Sequence, residues 1–201
     1  MTAPDPWQMN NLLAAMQAFV VAFDHPAVTR LAAPLLAGDL EKIEVEPQAH
    51  PALVHLSELD ASVLPLAAPL YKALNDAIPA IRWQVSYTAA DGFDDDYLNN
   101  YAWCDVIGPE GVFLSSSYRI GFGYWREGIQ YPTHAHEPEE IFLPLAGDGV
   151  FTTGDTAPRR CGPGDVVHHT PYLPHSIDMS EGPLLVLFLW HGANLHKKSA
   201  F

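Results

Sequence analysis

A chain of 201 residues with 48% hydrophobic and 17% charged residues can bury a real core, which excludes a disordered polar chain. Ten Lys and Arg stand against 24 Asp and Glu, a formal charge of −14 that repels nucleic acid and anionic membrane surfaces. The two cysteines, Cys104 and Cys161, have no CxxC spacing, which argues against a disulfide framework or a thiolate zinc site and leaves both as expected buried thiols.

The opening MTAPDPWQMN has no basic region ahead of an apolar run and does not read as a signal peptide. From Trp7 to about Leu36, apolar residues recur at helical spacing (Leu12, Met16, Phe19, Val20, Phe23), with Pro26 ending or breaking the first helix. Residues 40–60 mix Glu, Pro and His with short apolar pieces and read as connection. A second helical stretch runs from about Leu64 to Ile78, with Pro65 suited to a first turn.

The pattern changes after about Pro79. IRWQVSYTA alternates apolar and polar residues, as a strand does, and ADGFDDDY reads as a solvated acidic turn. Short strand-like runs separated by turn signals then continue to His191, and eighteen Pro and fourteen Gly supply the turns. The expected architecture is mainly β, an antiparallel barrel or sandwich over residues 81–201 behind a helical N-terminal extension over residues 1–80. The longest apolar runs, such as LLVLFLW at 184–190, are too short to span a bilayer, so a soluble, cytoplasmic protein is expected.

The chemistry concentrates in GIQYPTHAHEPEEIFLPLAG, residues 128–147. His134 and His136 stand two apart, which puts both imidazoles on one face of a strand. Pro138 turns the chain, so an adjacent strand can bring Glu140 to the same face. A second segment, GPGDVVHHTPYLPHSIDM, carries a Gly-Asp turn and the Pro-preceded His175. Three imidazoles and one carboxylate form a mixed nitrogen and oxygen site for one divalent transition metal ion, Zn, Fe, Mn, Co or Ni, with coordination positions left open. Of the adjacent His168 and His169, one is an alternative supporting or metal-binding residue.

The first segment fits the leading cupin motif at every defined position. Gly128 is followed after five residues by His134-X-His136, after three more by Glu140 and after six more by Gly147. The second motif fits more loosely: Gly164, Pro171 and His175 are present, with spacing off by one and Met179 where Asn is usual. From about Trp83 to Gly192 the chain resembles the cupin-type dimethylsulfoniopropionate lyases and their lyase-like relatives, through YTAADGFDDDYLNNYAW, the GYW at 123–125, YPTHAHEPEEIFLPLAG, PYLPHSIDM and GPLLVLFLWHG.

That resemblance implies a cupin double-stranded β-helix and a metal-dependent β-elimination giving dimethyl sulfide and acrylate. It implies His134, His136, Glu140 and His175 as ligands and Tyr131 as a substrate-contacting residue that could act as the base. Trp103, Tyr124, Trp125 and Tyr131 could wall a sulfonium cation, and Phe142 lies among the substrate-binding positions. One departure stands out: the family places a Tyr two residues after the ligand Glu, as the base, and this chain has Phe142, which cannot accept a proton. The alternative reading is therefore a lyase-like metal cupin acting as an isomerase or oxygenase on a different small carboxylate. The expected partner is a small-molecule substrate, with a homodimer open as an assembly.

Overall fold

The computed structural model describes residues 6–197 and 199. Helix α1 (Pro6–Phe23) buries Leu12, Met16, Phe19 and Val20 on one side, as their spacing dictates. It stops where Asp24 takes a left-handed conformation (φ 50°), and Pro26 then opens α2 (Pro26–Leu31), a position where its missing N–H costs nothing. A short α3 (Ala33–Ala37) follows and ends at Gly38, whose φ of 79° suits glycine. Residues 51–62, expected as connection, form a 3₁₀ segment opened by His50, whose Nδ1 accepts from the Ala52 N–H. Helix α4 (Ala68–Ala77) packs against α1 and buries Leu70, Tyr71 and Leu74.

Ten strands follow: β1 (Tyr101–Gly108), β2 (Phe113–Leu114), β3 (Tyr118–Trp125), β4 (Gln130–His134), β5 (Glu139–Gly147), β6 (Gly149–Thr153), β7 (Arg159–Cys161), β8 (Val167–His169), β9 (His175–Asp178) and β10 (Leu184–His191). They form a six-stranded sheet in the order β2-β1-β3-β10-β5-β8 and a four-stranded sheet in the order β4-β9-β6-β7. Apart from the parallel β1–β2 pair, the ladders are antiparallel. The two sheets face each other as a cupin jelly roll, as the motif implies.

Two apolar clusters explain the strand compositions. One lies between the outer face of the large sheet and the helices and joins Leu12, Leu31 and Leu74 to Phe122, Leu143 and Leu187. The other fills the space between the sheets with Tyr101, Trp125, Tyr131, Phe142, Phe151 and Ile177. Because the large sheet is covered on both faces, β10 is an unbroken apolar run. The small sheet covers one face only, so β9 alternates buried and half-buried residues.

Two local expectations are corrected. IRWQVSYTA makes only isolated bridges, Gln48 to Arg82 and Gln84 to Trp103, and continues into a 3₁₀ turn at Ala89–Asp91. The acidic run opens a fifth helix, α5 (Asp95–Asn100), because the Asp94 carboxylate accepts the Tyr97 N–H and Asp95 and Asp96 sit in the first turn.

Candidate metal centre and its cavity

The site draws from both sheets. His134 on β4 faces His175 on β9 directly across the ladder, with their rings 4.2 Å apart. His136 follows the end of β4 and brings its ring within 5.0 Å of His175. Glu140 comes from the facing sheet on β5 rather than from an adjacent strand, and it lies between Trp190 of β10 and His169 of β8 in register. The Glu140 Oε2 atom is 3.3 Å from His136 Nε2, 3.1 Å from His175 Nε2 and 3.1 Å from His169 Nδ1. Of these six groups all are buried except the half-buried Trp190, whose indole N–H donates to Glu140 Oε1.

The backbone sets the tautomers. His134 Nδ1 is 2.8 Å from the Pro132 carbonyl, His136 Nδ1 2.9 Å from that of Pro138, and His175 Nδ1 2.8 Å from that of Leu173. A carbonyl accepts only, so each Nδ1 carries a proton; the Nε2 atoms of His134 and His175 thereby offer lone pairs to the interior, while His136 Nε2 hydrogen-bonds the Glu140 carboxylate. His175 Nε2 is buried with no aligned hydrogen bond, an orphaned acceptor of the kind a cation satisfies. His134, His136 and His175 form one group able to hold a metal ion, and Glu140, His169 and His175 form an overlapping one.

Electrostatics agree with that donor set. Burial, with His175 close by, pushes His134 down to about 3, so its imidazole stays neutral. Burial alone would raise Glu140, but His136 and the neighbouring imidazoles outweigh it and hold the carboxyl well below its ordinary range. The same contact raises His136 against the effect of its own burial. A carboxylate held ionised among four imidazoles is a site that attracts a cation.

A small cavity of about 60 Å³ adjoins this cluster and reaches Glu140 and Trp190. Trp103, Trp125, Tyr131 and Phe142, the positions read from the sequence as substrate-contacting, line it. Tyr124 does not: alternation along β3 turns Trp125 inward and Tyr124 outward, where it packs in the helix-facing core. Tyr131 lies with its ring 4.3 Å from that of His134, and its hydroxyl is 3.2 Å from the Tyr87 hydroxyl. Burial first, then the charges of Tyr101 and Tyr87, raise the Tyr131 phenol well above 10. Phe142 contributes a ring 6.1 Å from Trp125 and 5.8 Å from His169, and no oxygen.

Sequence reasoning left several participants out or undecided. Strand alternation separates the adjacent histidines: His168 is exposed and bonds Glu139 at 2.7 Å, whereas His169 faces inward and stacks on His175 at 3.9 Å. Arg119 carried no motif, and Tyr87, Tyr101 and Trp190 lie in the family-like segments without being singled out; strand register reveals Arg119, Tyr101 and Trp190, and the hydroxyl contact with Tyr131 reveals Tyr87.

Three comparisons bear on this geometry. The profile of the dimethylsulfoniopropionate lyase family matches residues 26–186. The chain is 34% identical over 197 residues to the dimethylsulfoniopropionate lyase DddQ of Ruegeria pomeroyi, covering 96% of this chain and 92% of that protein. The crystal structure of DddQ from Ruegeria pomeroyi superposes with a TM-score of 0.86 at 31% identity, covering 98% of this chain and 97% of the other. A chain solved with the DMSP lyases RdDddP and RnDddQII gives a TM-score of 0.87 at 30% identity, with 97% of each chain covered.

Proposed function

This chain belongs to the dimethylsulfoniopropionate lyase family, and we propose that it is a metal-dependent carbon–sulfur lyase acting on dimethylsulfoniopropionate or a close analogue by β-elimination. The observation that carries the reading is the cluster of three tautomer-fixed imidazoles, two of which, His136 and His175, lie 3.3 Å and 3.1 Å from Glu140, beside an aromatic cavity.

In this reading His134, His136, Glu140 and His175 hold one divalent ion, and a donor set of three nitrogens and one oxygen suits Zn, Fe, Mn, Co or Ni. Such an ion, when bound, draws electron density from a substrate carboxylate and makes the neighbouring C–H more acidic. His169 and Trp190 fix both oxygens of Glu140 and so hold the carboxylate in one orientation. Tyr131 would act as the base only as its phenolate, which accepts the α-proton and becomes the phenol; burial makes that form scarce, so turnover without a second base is slow, and the hydroxyl contact with Tyr87 keeps the ring turned toward the cavity. The electron pair left at the α-carbon forms the double bond of acrylate as the β-carbon–sulfur bond breaks, and dimethyl sulfide leaves with the sulfonium's bonding pair. The buried rings of Trp125, Tyr101 and Phe142 exclude water and face the cation.

Phe142 favours a second reading, because the cavity wall beside Glu140 lacks the proton acceptor that the family places there. On that reading the chain is a lyase-like metal cupin that isomerises or oxygenates a different small carboxylate. Incubating purified protein of measured metal content with dimethylsulfoniopropionate and assaying acrylate and dimethyl sulfide separates the two. Stoichiometric products support the lyase; metal-replete protein that forms neither overturns it.

A further inference from the structure

A charged pair that the elimination leaves unused lies in the cavity wall. Arg119 on β3 is buried, lines the cavity, and places its Nε 3.3 Å from Oδ2 of the buried Asp105. The contact is not aligned as a hydrogen bond: Arg119 Nε and both Asp105 oxygens are buried without a hydrogen-bond partner. A buried guanidinium whose Nε is unmatched and whose counter-charge is only partly ionised is costly, and an added acceptor on the group relieves it. Burial, opposed by Arg119, pushes the Asp105 carboxyl up to about 7, so near neutral pH it compensates the guanidinium only in part.

The neighbouring rings give this charge a direction. The Arg119 guanidinium carbon lies 4.6 Å from the Trp103 ring centre and 5.9 Å from that of Trp190. Those two indoles already hold a protein cation, and a second cation there is repelled. Among the described residues no cation–π contact is made to Tyr101, Trp125, Tyr131 or Phe142, and the other cation of the lining, Lys197, is exposed. Trp190 pairs with Arg119 on one side and with Glu140 on the other. Two strand spacings set their backbones about 10 Å apart, so both side chains can serve one small molecule between them.

We propose that Arg119 is a substrate-orienting residue: its guanidinium takes a carboxylate oxygen at the Trp103–Trp190 end of the cavity, which sends the sulfonium group toward Tyr101, Trp125, Tyr131 and Phe142. The inference rests on the zwitterionic substrate of the lyase reading and assigns its direction in the pocket.

The test separates the two ends of the substrate. Propionate carries the carboxylate alone and trimethylsulfonium the cation alone, and each can be titrated into metal-loaded protein by tryptophan fluorescence. The double variant Arg119→Gln with Asp105→Asn leaves no unpaired buried charge. It is expected to weaken propionate by roughly tenfold to a hundredfold, the loss of a charge-assisted hydrogen bond, and to leave trimethylsulfonium unchanged or tighter. Equal propionate affinity in folded, metal-replete variant overturns the proposal, as does an equal loss for both ligands. If the double variant does not fold, Arg119→Lys, which keeps the charge but not the planar fork, decides by the same comparison. Neither titration needs turnover, so a failed lyase assay and a failed orientation are told apart.

Discussion

Phe142→Tyr is the substitution on which the elimination reading turns. Phe142 lies two residues from Glu140 on β5, so both side chains face the cavity, and the ring is buried against Trp125, Phe151 and His169. Because Phe142 lines the cavity, a para-hydroxyl added there is placed at its wall. If it finds no partner, its burial costs about 1–3 kcal/mol, which lowers Tm by roughly 2–12 °C for a chain of this size. A positioned general base accelerates proton abstraction by about 10²–10⁴, equivalent to about 2.7–5.4 kcal/mol off the barrier. The expected outcome is therefore a slightly less stable protein that releases dimethyl sulfide far faster. Headspace gas chromatography at saturating dimethylsulfoniopropionate measures the gain, with circular dichroism and metal content as controls. A folded, metal-replete variant with no increase refutes the idea that this wall lacks only a base.

Other outcomes follow from the same geometry. His134→Ala or His136→Ala should abolish stoichiometric metal, and unchanged metal by mass spectrometry in both variants refutes the ligand assignment. Trp190→Phe keeps a ring against His136 but removes the donor to Glu140 Oε1, so metal affinity should fall by about 10–100-fold in competition with a chelator; undiminished affinity denies the indole that role. Asp105 titrates higher in the folded chain, at about 7, than the ordinary 3.8. The folded state thus binds the extra proton between those values, and its contribution to stability is full below pH 3.8 and lost as pH rises to about 7. Subtracting the Asp105→Asn stability profile from the parent's should isolate that decline, and superimposable profiles contradict it. Leu12→Ala in the core between α1 and the large sheet should cost about 2–5 kcal/mol in denaturant unfolding; a loss near zero means α1 contributes little to the fold.

The ligand motif was legible because its information is local. His134 and His136 share a face by strand periodicity, and the Pro-bearing turn before Glu140 reverses the chain within a few residues. What stayed hidden depends on register and on which sheet a strand joins. Glu140 reads as a neighbour of β4 in sequence, yet β4 pairs with β9 and Glu140 arrives from the opposite sheet. His168 and His169 are equivalent as residue types, and only the pairing of Glu140 with His169 decides which one enters the site. Tyr124 and Trp125 look alike as aromatic candidates, but one step of the pleat sends them into different cores. The alternation in IRWQVSYTA was real without being a strand, since Gln84 finds only a single bridge at Trp103 and no continuous partner edge.

Strand β3 shows how one short sequence serves both faces of a sheet. In RIGFGYW, Ile120, Phe122 and Tyr124 pack toward the helices, while Arg119, Gly123 and Trp125 face the cavity. The glycines are required by close approach. A Cβ at Gly123 would lie 2.8 Å from the Trp125 ring, and one at Gly121 would lie 1.8 Å from the Cys104 carbonyl oxygen. That carbonyl approaches because the β1–β3 ladder slips between Asp105 and Ile107, and a bulge of this kind re-aims the side chain beside it. Here Asp105 keeps the cavity-side alternation of Trp103 and meets Arg119, and the slip turns both Val106 and Ile107 into the helix-side core. Gly121 faces Asp105 across this ladder, and a Cβ there would also lie 3.1 Å from the Asp105 Cα, so a Gly121→Ala change should displace Asp105 from Arg119 before it disturbs the histidines on the far sheet.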